Sequence, residues 1–118
     1  MIFTIDTAER AALDKHEGLG LGYRRDDAFP VQALNSGEIV ETSTSFATSR
    51  DPELMPFDWY LATVIAGALH NGIAEDHVSL LRYTAFVEDT DSDRKTRSAA
   101  IRAMRDHGID DFRMVLGR

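Results

Sequence analysis

Residues 57–71, FDWYLATVIAGALHN, restrict the fold more than any other stretch of this chain, because they hold a single formally charged side chain and are followed by Gly72. Apolar residues at helical spacing need a surface to bury against, and glycine is suited to closing such a helix. Phe57, Leu61, Val64, Ile65 and Ala68 would share one face, with Trp59, Ala62, Ala66 and Leu69 flanking it. Ala62, Ala66, Gly67 and Ala68 leave little bulk, so a neighbouring element could approach closely. This helix is expected at the centre of the fold.

The remaining pattern assembles around it. Residues 1–5 form a short apolar run read as a strand, after which Asp6 or Thr7 can cap a helix that ends at Gly18 in a left-handed cap. Glu17 then lies at a helix-to-loop junction. Glycine recurs at 18, 20 and 22. These glycines follow a helix and lead into a strand, the reverse of a dinucleotide-binding fingerprint. Segments 23–34 and 38–48 suit the two arms of a hairpin turning at Asn35-Ser36-Gly37, and Pro30 places the first arm at an edge or bulge. After a polar connection over 49–56 and the central helix come two more helices, Glu75 to about Val87 and about Asp93 to His107. The order predicts an α+β fold. A length of 118 residues fits a single domain spanning 1–118.

Charge and composition exclude several function classes. Twenty acidic against 13 basic side chains give a net charge of -7, which disfavours nucleic acid and anionic membranes as partners. The basic residues Arg94, Lys95, Arg97, Arg102 and Arg105 are spread over an expected helix that also carries Asp91, Asp93 and Asp106, and read as a solvated helix face. With no cysteine there is neither a disulfide framework nor a thiolate site, which suits a cytoplasmic protein. No apolar run reaches the ~18 residues of a membrane span, and the first ten residues do not read as a secretory signal. His16, His70 and His77 match no metal-binding spacing, so no metal and no cofactor are expected. Ser43, Ser45 and Ser49 lack a nucleophile-elbow context.

Two blocks carry a resemblance. Leu13-Asp14-Lys15-His16-Glu17-Gly18 with Gly22-Tyr23-Arg24-Arg25 resembles an "LDxxEG…GYRR" motif, and Pro56 to Ala62 with Ile65 to Ala68 and His70 to Ile73 resembles a "P..WYL…aGA..nGlp" helix. Both belong to the γ-glutamylcyclotransferase-like (AIG2-like) family. That resemblance implies a mixed β-barrel or sheet with packed helices, and release of 5-oxoproline from a small γ-glutamyl substrate. It implies Glu17 as general acid and base, with Gly18, Gly22, Tyr23 and Tyr60 binding substrate. Glu17 could instead be a surface residue near a helix end, and Tyr60 could serve packing. Phe46 stands where the family commonly has tyrosine, which removes a hydroxyl. The family's opening strand and "YGSNL" loop find no counterpart, so the early barrel strands are expected to be missing and sheet edges exposed. A homo-oligomer or a completing partner chain would cover such edges. The rival reading is a non-catalytic interaction module built on the same fold.

Overall fold

Asp6 starts the first helical segment, its side chain accepting the Ala8 N–H at 3.0 Å. A single 3-10 turn at Thr7–Glu9 leads into helix α1, Arg10–Glu17. Gly18 stops it with φ +79°, a left-handed conformation that costs glycine little. α1 buries none of its residues.

The structure is a computed structural model that describes residues 2–117, and the chain divides between Asp51 and Pro52 into two units. In the first unit, strands β1 (Tyr23–Gln32) and β2 (Ile39–Ala47) pair antiparallel, with Tyr23 opposite Ala47 and Val31 opposite Val40. The register breaks between Asp26 and Phe29 in a bulge. Ala33 N–H donates to Glu38 O at 2.9 Å. Alternation of bonded and non-bonded pairs therefore leaves Pro30 opposite Glu41 at a position that needs no N–H, so the hairpin tolerates proline there. One face joins Phe29 edge-to-face with Phe46, ring centroids 5.4 Å apart, and Arg24 lies 4.9 Å over the Phe46 ring.

The strand expected over residues 1–5 is not formed at 2–5, and Met1 lies outside the described residues. A strand exists only through its partner, and among the described residues the sheet has the two strands β1 and β2 alone. The α+β class holds at this level.

The second unit is organised by helix α2, Asp58–His70, which buries Asp58, Trp59, Leu61, Ala62 and Ile65. The buried face is rotated from the expected one: Val64 is 38% exposed, while Trp59 and Ala62 face inward. Helix α3 (Glu75–Arg82) supplies fully buried Val78 and stops short of the expected Val87. Chain beyond it turns extended because Val87 N–H donates to Pro56 O and Asp58 N–H to Val87 O, both at 2.9 Å. Helix α4 (Lys95–Asp106) contributes Met104 and begins after a turn in which Asp91 accepts the Asp93 N–H. A 3-10 segment unforeseen in the sequence, Phe112–Leu116, is capped by Asp111 and buries Phe112 and Leu116. Every buried hydrophobic side chain among the described residues belongs to this unit.

Buried polar groups fasten the start of α2. The Asp89 carboxylate, 4% exposed, accepts Trp59 Nε1–H and Arg94 Nε–H, each at 2.7 Å, and Asp58 Oδ1 accepts Asp89 N–H at 3.2 Å. Burial alone would raise the Asp89 carboxyl. Hydrogen bonds from Arg94, Trp59 and the Asp91 N–H outweigh it, so the group titrates below its usual range.

Candidate functional site

Glu17 is the last residue of α1, and the turn that follows sets its place on the backbone. Gly18 N–H donates to Lys15 O at 3.3 Å and Leu19 N–H reaches back to Asp14 O at 2.9 Å, the paired bonds of a Schellman closure. The next residues tighten further: Leu21 N–H bonds Gly18 O at 2.9 Å, Gly20 N–H bonds Tyr23 O at 3.0 Å, and Thr48 N–H bonds Gly22 O at 2.8 Å. Gly22, with φ +106°, hands the chain to β1 in a conformation that a side chain would resist. Tyr23 lays its ring against Gly18, since a Cβ there would sit 3.5 Å from Tyr23 Cδ2.

A charged network ties α1 to the hairpin. Arg25 on β1 pairs with Asp14 on α1 and, at 2.7 Å, with Asp27. Arg10 on α1 also pairs with Asp27, whose carboxylate accepts the Ser43 hydroxyl at 3.0 Å. The Arg25 hydrogen bond is the main reason Asp27 titrates below its usual range, with Ser43 and Arg10 adding to it against partial desolvation. Asp14 and Arg25 come from the two halves of the LDxxEG…GYRR pattern. The pattern thus encodes a clamp: Asp14 takes Leu19 N–H on its carbonyl and Arg25 on its carboxylate, three residues before Glu17. Sequence reading singled out the glutamate and missed the clamp, although an acid and a base at those motif positions were its signal.

Of the expected site residues, Glu17, Gly18, Gly22 and Tyr23 are gathered in one turn of the first unit. Glu17 is exposed and Tyr23 is 44% exposed. Tyr60 belongs to the second unit, at the first turn of α2, where it is 55% exposed and meets Trp59 edge-to-face at 6.0 Å.

Residues 1–81 match the AIG2-like family. This chain belongs to that family. No curated protein and no solved structure matches it. The AIG2-like portion spans α1, the hairpin, α2 and most of α3, so both motif blocks fall inside it. α4 and the 3-10 segment lie beyond it, yet they supply Met104, Phe112 and Leu116 to the core that holds α2.

Among the described residues, two cavities of this AIG2-like protein lie in the second unit, and neither is lined by a motif residue of the Glu17 turn. One, about 460 Å³, is lined by Ala66 and Gly67 of α2, Met104 of α4 and Ile109 just beyond α4, with His70 and His107 edge-to-face at 5.8 Å. The other, about 420 Å³, is lined by Ser79, Arg82, Tyr83, Leu116 and Gly117. Among the described residues no three histidine, aspartate or glutamate side chains gather as a metal site would require. No helix among them is long and apolar enough to cross a membrane.

Proposed function

We propose that this AIG2-like protein is γ-glutamylcyclotransferase-like and cyclises a small γ-glutamyl substrate to 5-oxoproline in the cytoplasm, with Glu17 as general acid and base. Family membership across residues 1–81 carries this reading, supported by the Asp14–Arg25 ion pair and the Schellman turn on either side of Glu17. In the reaction the substrate's α-amine attacks its own γ-carbonyl carbon. A C–N bond forms within the glutamyl unit, and the C–N bond to the leaving amine breaks. The attacking amine loses a proton and the leaving amine gains one, and the Glu17 carboxylate relays it. The nucleophile is internal to the substrate, so the chemistry requires no cofactor. Gly18 and Gly22 allow the backbone a close approach to substrate, while the Tyr23 hydroxyl orients it.

Incubation with γ-glutamyl amino acids and γ-glutamyl amines, followed by assay of 5-oxoproline, tests the role. Glu17→Gln should lower turnover by about 10²- to 10⁴-fold, the usual contribution of a positioned proton-transfer group. Equal turnover in both proteins removes Glu17 from the mechanism.

The exposure of Glu17 favours a second reading, a non-catalytic interaction module on the same fold. It predicts no 5-oxoproline from any γ-glutamyl substrate with wild-type protein.

A further inference from the structure

The two outer edges of the hairpin differ in kind. β1 carries Pro30, the bulge between Asp26 and Phe29, and the charges of Arg24, Arg25, Asp26 and Asp27, all of which obstruct strand addition. β2 reads Ile-Val-Glu-Thr-Ser-Thr-Ser-Phe-Ala, with one charge, no proline and the β-favouring Ile39, Val40, Thr42, Thr44 and Phe46. Its flanking ladder bonds, Ala33 N–H to Glu38 O and Gly22 O from Thr48 N–H, put the even-numbered residues in the bonded pairs with β1. The backbone groups of Ile39, Glu41, Ser43, Ser45 and Ala47 therefore face the open edge.

We propose that β2 pairs antiparallel with β2 of a second copy of this chain, centred on Ser43. This register is the one that uses the whole strand. It sets Ile39 opposite Ala47, Glu41 opposite Ser45 and Ser43 opposite Ser43, so every outward-facing backbone group finds a partner. Between these rungs Val40 meets Phe46 and Thr42 meets Thr44, pairings of β-branched with aromatic and of threonine with threonine that stabilise sheets. Glu41 never faces its own copy, so the one charge on the strand raises no like-charge contact. The contact is isologous, as a twofold dimer requires. It converts a two-stranded ribbon, marginal by itself, into four strands with Phe29, Val31, Val40 and Phe46 of both copies on one face. The contact is independent of the chemistry assigned to Glu17, and Glu17→Gln leaves it unchanged.

Sedimentation of the full chain at micromolar concentration should give twice the 13.2 kDa chain mass. Ser45→Pro removes an N–H that faces only the open edge, and should raise the dimer dissociation constant at least about tenfold with unchanged circular dichroism. Register is read separately with cysteines, since the chain has none. Bonded antiparallel pairs hold Cα atoms about 5.5 Å apart, within disulfide reach. An Ile39→Cys chain mixed with an Ala47→Cys chain should cross-link under mild oxidation, and neither should cross-link alone. A monomeric wild type overturns the proposal, and so does a dimer in which the 39 and 47 positions fail to join. Should Ser45→Pro misfold, the cysteine pair decides.

Discussion

Asp14 and Arg25 show how much of a motif's meaning lies in residues other than its presumed catalyst. The guanidinium of Arg25 holds α1 to β1 through Asp14, and Gly18 lets the chain reverse immediately after Glu17. Gly18→Ala would force a Cβ into the left-handed region at a cost of about 1–2 kcal/mol. The Cβ would make an ordinary van der Waals contact, its nearest heavy atom being Tyr23 Cδ2 at 3.5 Å, so the loss should be backbone strain. Chemical denaturation of the two proteins measures it. In the second unit, Asp89 makes the strongest pH prediction. Its carboxyl is held below the ordinary value, so the stabilisation it brings is present above the unfolded pKa of about 3.9 and disappears as pH falls through the lower folded value. Asp89→Asn keeps the shape but loses the charge facing Arg94. Its melting temperature should be lower than wild type at pH 7, and the gap should close as the pH is taken below 4.

At the scale of elements, propensity and periodicity located α1, the hairpin and α2 closely, because each carries its own start and stop signals. Asp6, Gly18 and the Asn35-Ser36-Gly37 turn act within a few residues of chain, so their effect is legible locally. Which side of α2 faces inward was less legible. The helix is apolar nearly all round, and the partner surfaces of α3, α4 and the 3-10 segment select Trp59, Leu61, Ala62 and Ile65 over Val64. Ile65→Ala should therefore cost about 2–5 kcal/mol by leaving a cavity in a fully buried site. Val64→Ala should cost a small part of that, and urea unfolding of both variants discriminates the observed face from the one expected. α3 ends early for a similar reason: the Pro56–Asp58 backbone recruits Val87 into a bridge, a long-range contact with no local signature.

Across the whole molecule, burial is unevenly shared. The second unit holds Trp59, Leu61, Ala62, Ile65, Val78, Met104, Phe112 and Leu116 as a core, whereas α1 and the hairpin rely on ladder hydrogen bonds, the Arg–Asp network and half-buried Val31, Val40 and Phe46. Amide hydrogen exchange should accordingly find α2 the most protected element and α1 among the fastest, because exchange follows the buried contacts that must open. Truncation after Leu81, where the family match ends, removes Met104, Phe112 and Leu116 from around α2. Loss of cooperative unfolding in that fragment is the expected result, read by circular dichroism on heating. Taken alone, the sequence determined the α+β class, the caps of α1, the hairpin and the family's two blocks, since each is written in neighbouring residues. Only tertiary structure decided the Asp14–Arg25 clamp, the inward face of α2, the core role of the last thirty or so residues and the open edge of β2. Those depend on which distant segments meet, and burial and pairing energies between distant segments leave no periodic trace in either partner.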